Sequence, residues 1–134
     1  MKILLVEDSK FLRISTERAL ARAGYAVSTA VDGEEAVQFA RERLPDLILL
    51  DMLLPKMSGP DVLKALKKDP TTSEIPVVVL TGLSQKNATR LRDDGAFAFL
   101  EKAELSLEKG SQALLASLDD IIKRLPQVRA QSAT

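Results

Sequence analysis

The stretch Asp46-Leu47-Ile48-Leu49-Leu50-Asp51-Met52 decides how the chain folds, because four consecutive aliphatic residues run straight into a carboxylate. An aliphatic run of that length with no polar alternation is the pattern of a strand buried on both faces of a parallel sheet. Three more runs share the form. Lys2-Ile3-Leu4-Leu5-Val6 leads into Glu7-Asp8, Ile75-Pro76-Val77-Val78-Val79-Leu80 into Thr81, and Phe97-Ala98-Phe99-Leu100-Glu101 into Lys102. If the runs are neighbouring parallel strands, their carboxyl ends share one sheet edge, where open α/β folds build their sites. Three carboxylates, a hydroxyl and an ammonium would converge there, a set suited to a divalent cation and a phosphoryl group.

Working outward, Tyr25-Ala26-Val27-Ser28-Thr29-Ala30 alternates in polarity, as an edge strand does. Helical patterns separate the runs. Leu12, Thr16, Ala19, Leu20 and Ala23 share one face of a first helix that Gly24 stops. Asp32 and Glu35 have capping-box spacing for a second helix, with Ala36, Val37, Ala40 and Leu44 facing inward. Ser58-Gly59-Pro60-Asp61 opens a third helix carrying Val62, Leu63 and Leu66, closed by Asp69-Pro70. A fourth, over roughly 84–94, has only Ala88 and Leu91 as apolar anchors and is expected to be the most mobile. Leu114, Leu115, Leu118, Ile121, Ile122 and Leu125 mark the last helix. The order βαβαβαβαβα predicts an α/β fold, a doubly wound five-stranded parallel sheet with helices on both faces.

A chain of 134 residues fits one domain. Lys plus Arg and Asp plus Glu both number 19, so no basic footprint for nucleic acid is present. The absence of cysteine rules out disulfides and thiolate metal sites, and the absence of histidine rules out a histidine base or a phosphohistidine on this chain. No apolar run reaches membrane-spanning length, and Met1-Lys2 leads directly into a strand with no room for a signal peptide. A cytoplasmic protein that binds neither nucleic acid nor membrane is expected.

Each strand-end residue also has a plainer role. Asp8 or Ser9 can cap the first helix, Asp51 a turn, Thr81 the fourth helix, and Lys102 can be a solvated lysine. Capping does not explain a lysine ending the fifth strand, nor an aspartate after four apolar residues in the third. Glu7, Asp8 and Asp51 gathered together repel one another, and a hard cation bound through oxygen relieves that repulsion. Mg²⁺ fits best, since it takes a few carboxylates and keeps several waters. A carboxylate beside Mg²⁺ and Lys102 can act as a nucleophile toward phosphorus, with Thr81 donating to a phosphoryl oxygen.

These residues resemble the receiver domains of bacterial two-component response regulators, over roughly residues 1–125. The matching motifs are Leu5-Val6-Glu7-Asp8-Ser9, Asp46 to Met52 followed by Leu54-Pro55-Lys56-Met57-Ser58-Gly59, Val79-Leu80-Thr81-Gly82, and Phe99-Leu100-Glu101-Lys102. The resemblance implies a (βα)5 flavodoxin-like fold with strand order 2-1-3-4-5. It implies that Asp51 is the phosphoacceptor and that Glu7 and Asp8 hold Mg²⁺ with Asp51 and the Met52 main-chain carbonyl. It implies that Thr81 and Lys102 contact the phosphoryl group. Phe99 takes the switch-aromatic position, between the fourth helix and the last. Leu53 and Leu83 fall two residues beyond Asp51 and Thr81, where they flank the path of a hydrolytic water. The implied partners are a histidine kinase or histidine phosphotransfer protein, and a downstream protein on the face made by the fourth helix, fifth strand and last helix. Such a protein modifies itself and is not an enzyme.

The chain departs from the family pattern after Lys102, where Ala103 replaces the usual proline and residues 103–111 form a longer segment. A trans Lys102–Ala103 bond is expected, since a non-proline cis bond costs roughly 3 kcal/mol. Residues 126–134 read as a flexible tail, too short for an output domain, so a stand-alone receiver is expected. Two other functions are weighed. A phosphatase of the haloacid-dehalogenase type needs a second aspartate two residues after its nucleophile, and that position is Leu53. A receiver-like interaction module that works without phosphorylation is kept open by the altered segment after Lys102. Incubation with Mg²⁺ and a small phosphodonor, followed by intact mass, separates that module from a phosphoaccepting receiver.

Overall fold

Every aliphatic run becomes a strand of one sheet. In the computed structural model, which describes residues 1–52, 54, 56–81, 95–101 and 112–125, the strands are β1 (Lys2–Val6), β2 (Ala26–Ala30), β3 (Leu47–Asp51), β4 (Val77–Thr81) and β5 (Ala98–Glu101). All pairings are parallel, as the aliphatic runs predict, in the order β2-β1-β3-β4-β5 that the resemblance implies. Leu47, Ile48, Leu49 and Leu50 are completely buried, because a central strand has apolar layers above and below it. β2 lies at the edge and buries only Ala30 fully, which accounts for its mixed composition.

Four described helices cover the sheet: α1 (Lys10–Arg22), α2 (Gly33–Arg43), α3 (Gly59–Lys68) and the last helix (Gln112–Lys123). Strand alternation divides the core into two layers. Leu4, Val6, Ile48, Leu50, Val77 and Val79 face α2 and α3, meeting Ala36, Ala40, Val62, Leu63 and Leu66. Ile3, Leu5, Leu47, Leu49, Val78 and Leu80 face the other way, meeting Leu20 of α1 and Leu114, Leu118 and Ile121 of the last helix. Each fully buried Leu or Ile contributes about 1.5–3 kcal/mol of transfer free energy, so the layers hold the strand ends in fixed register.

The caps follow the residues. Asp32 accepts from the Glu35 amide at 2.9 Å, and the Glu35 carboxylate accepts from the Val31 amide at 3.1 Å. The reciprocal bond of the predicted capping box thus lands one residue early. Ser58 accepts from the Asp61 amide and Pro60 occupies the first turn of α3. Three residues predicted to face inward do not. Leu12 is 37% exposed and Leu44 is 51% exposed, and Ala23 is exposed as well. Leu12 belongs to the first turn of α1, at the carboxyl edge of the sheet rather than over its middle. Ala23 and Leu44 are C-caps. Pro45 cannot continue α2, so Leu44 leaves the helix with φ 45° and its side chain turns outward.

The fourth helix, the Lys102–Ala103 bond, the segment 103–111 and the tail 126–134 lie outside the described residues. Among the described residues no helix is long and apolar enough to cross a membrane.

Candidate functional site

The carboxyl ends of β1, β3 and β4 bring the predicted residues to one edge. Glu7 follows the last residue of β1, and its amide still donates to the Ala30 carbonyl at 3.0 Å. That bond extends the β1–β2 ladder by one residue and fixes the start of the acidic turn. The Glu7 side chain is buried, and its Oε2 accepts from the Ser9 amide at 3.3 Å. Ser9, not Asp8, caps α1, accepting from the Leu12 amide. Asp8 is therefore exposed and has no capping duty. Asp51 ends β3 opposite Leu80 of β4 and is 1% exposed. Ser58 caps α3, so capping does not explain Asp51 either.

One carboxylate oxygen from each of Glu7, Asp8 and Asp51 lies within 4.8 Å of the others. Two ionised carboxylates at such a separation repel by on the order of 3–4 kcal/mol at an effective dielectric constant near 20. A positive group beside them relieves that repulsion, and the donor set indicates which kind of cation could do so. Three carboxylate oxygens, with no nitrogen or sulfur donor, fit a hard divalent cation that retains part of its water shell. The Met52 carbonyl accepts from the Gly59 amide at 3.2 Å, so only its second lone pair is available to a cation.

Thr81 is the last residue of β4, one step beyond the Leu80 that pairs with Asp51, and it stands in register with Glu101. Lys102 follows Glu101 and lies outside the described residues, as do Leu53 and Leu83. Phe99 pairs with Val79 and is half-buried on the sheet face that α2 and α3 cover. The last helix packs on the opposite face. Strand alternation sends Leu100 toward the last helix and Phe99 to the other face; where Phe99 stands relative to the fourth helix lies outside the described residues.

Two contributors were not visible in the sequence. Arg13 donates from Nη1 to the main-chain carbonyls of Glu7 at 3.1 Å and Asp8 at 3.3 Å. A bond to main chain leaves no residue-type signature, so no pattern pointed to it. Lys56, with φ 66°, sits 3.5 Å from the Asp32 carboxylate and ties the loop after β3 to the start of α2. Neither its left-handed backbone nor its pairing with Asp32 follows from the residue type.

Comparison with known proteins agrees with this geometry. Residues 3–114 match the model of the response regulator receiver domain. The chain is 41% identical over 116 residues to the gliding motility regulatory protein of Myxococcus xanthus, covering 85% of this chain and 15% of that protein. It is 43% identical over 103 residues to the response regulator PleD of Caulobacter vibrioides, covering 75% of this chain and 22% of PleD. It thus spans less than a quarter of the length of either protein. Among solved structures, the chemotaxis response regulator CheY4 of Vibrio cholerae superposes with a TM-score of 0.81 at 30% identity, covering 90% of this chain and 97% of that one. With the sheet order, the acidic edge and the match over residues 3–114 in agreement, the chain belongs to the response regulator receiver domains.

Proposed function

We propose that the chain accepts a phosphoryl group on Asp51, in a Mg²⁺-dependent reaction, from the phosphohistidine of a histidine kinase or histidine phosphotransfer protein. The observation that carries this reading is the convergence of the Glu7, Asp8 and Asp51 carboxylate oxygens within 4.8 Å at the sheet edge. An Asp51 oxygen attacks phosphorus as the bond to the donor nitrogen breaks, leaving an acyl phosphate on β3. Glu7, Asp8 and Asp51 would hold Mg²⁺, which supplies charge neutralisation to the phosphoryl oxygens. Lys102 provides a second positive charge and Thr81 a hydrogen bond. Burial of Asp51 to 1% exposure limits the access of bulk water to the product.

The signal then passes to a downstream protein through the face made by the fourth helix, β5 and the last helix. Thr81 links the phosphoryl group to the chain that follows β4, and Phe99 on β5 responds to it. The change is a shift between two populated arrangements rather than a new fold. Receiver domains modify themselves and do not turn over a separate substrate.

Intact mass after incubation with acetyl phosphate and Mg²⁺ tests the reading. The wild type should gain one phosphoryl group and Asp51→Asn none. Equal labelling of both would assign the chemistry elsewhere.

A further inference from the structure

Resting on the Mg²⁺ reading above, we propose that Arg13 is a positioning residue for the cation, pinning the Glu7 and Asp8 carbonyls so that both side chains are presented to the metal together with Asp51. The turn from Glu7 to Ser9 has to hold two like-charged side chains beside a third, buried one. Repulsion would open that turn, and three contacts resist it. The Glu7 amide bonds to Ala30 on β2, the Ser9 amide bonds to the Glu7 carboxylate, and the Arg13 guanidinium bonds to both carbonyls of the acidic pair. A single guanidinium nitrogen of Arg13 thus spans both carbonyls of the pair.

The placement has two chemical effects. A carbonyl that accepts from a guanidinium has one lone pair fewer to offer a cation, which favours the carboxylates as the metal's contacts on this side of the site. A turn fixed before the cation arrives loses less freedom when it binds, which raises affinity without any direct contact. Arg13 sits one turn into α1, within hydrogen-bonding reach of the turn but on its main-chain side. Its positive charge acts in the opposite sense by repelling the metal. The proposal states that the hydrogen bonds outweigh that repulsion.

Arg13→Lys keeps the charge but is too short to reproduce the bonds, and Arg13→Ala removes both. Isothermal titration with Mg²⁺ should show affinity reduced roughly tenfold in Arg13→Lys, the scale on which groups behind a metal's ligands act. Thermal unfolding without metal checks that each variant is folded. Phosphorylation by acetyl phosphate, followed across Mg²⁺ concentration, should show the half-saturating concentration raised by the same factor. The plateau rate should stay at the wild-type value, which a general loss of structure would not permit. Affinity in Arg13→Lys equal to or tighter than wild type overturns the proposal, as does a lowered plateau with unchanged half-saturation. If the wild type itself binds no Mg²⁺, the metal reading fails and takes this proposal with it. Binding by the wild type that both variants retain defeats this proposal alone.

Discussion

Gly59 donates its amide to the Met52 carbonyl at 3.2 Å, and its α-carbon lies so close that a β-carbon there would fall within 3 Å of Met52 main-chain atoms. The first residue of α3 therefore rests on the residue that follows Asp51. Gly59→Ala has to push the β3–α3 connection away, and overpacking of this kind costs about 1–3 kcal/mol. The melting temperature should fall by several degrees. Phosphorylation of Asp51 by acetyl phosphate should also slow, because the displaced main chain borders the acceptor. An alanine variant that melts and labels like wild type would show that the contact yields freely.

The acidic pair should divide its labour unequally. Asp8 is exposed and does not cap α1, whereas Glu7 is buried and already accepts from the Ser9 amide. Under the proposed Mg²⁺ reading, Asp8 is expected to be the direct ligand and Glu7 to act through water. Titration should show Glu7→Gln weakening Mg²⁺ binding by about tenfold, the scale of indirect groups, and Asp8→Asn weakening it further. The reverse ranking would exchange the two roles.

Acid sensitivity should appear at a site remote from the metal. The Thr71 hydroxyl and amide donate to the Asp69 carboxylate, and Arg41 of α2 pairs with it, so its pKa lies below the ordinary carboxylate value. A folded pKa below the unfolded one means that the stabilisation is fully present above about pH 4, the unfolded value. It is lost as pH falls from there through the lowered folded value. Asp69→Asn should melt below wild type at pH 7, and the gap should close as the pH falls below 4. A gap that is constant from pH 7 to pH 3 would remove Asp69 ionisation as its cause.

The acyl phosphate should be long-lived. In-line attack requires a water placed opposite the departing Asp51 oxygen, and Leu53 and Leu83, at the positions that flank this path in receivers, carry no group to orient one. Replacing Leu53 with Asn and Leu83 with Glu should speed phosphate release after the donor is removed. An unchanged or slower rate would show that these side chains do not control the water.

The strands were legible because a parallel sheet buried on both faces demands unbroken aliphatic runs, and Leu47 to Leu50 supply one with no exposed position. The acidic edge was legible for the same reason, since Asp51 interrupts a pattern that burial would otherwise have continued. Helix faces were less so. Leu12 and Leu44 are as apolar as Leu20, and only their places at helix ends, beyond the supporting strands, set them in solvent. Phe99 was assigned its strand correctly, but which layer it joined depended on a register that one sequence does not state. Arg13 was invisible, because its partners are carbonyls that every residue carries.

The parallel sheet also sets the sequence of events by which the chain reaches this structure. β1 pairs with β2 only after the whole of α1 has been made, and with β3 only after a further βα unit. The Lys2 amide and the Asp46 carboxylate that close this pairing are separated by 44 residues. Non-local pairings of this kind make loop-closure entropy come due before any contact repays it, which slows folding relative to hairpin-built or helical domains of equal size. Until β3 arrives, Ile3 to Val6 remain an uncovered aliphatic edge in a nascent chain, open to the wrong partner. A strand that is fully interior in the finished sheet is, for that interval, the segment most in need of protection from aggregation.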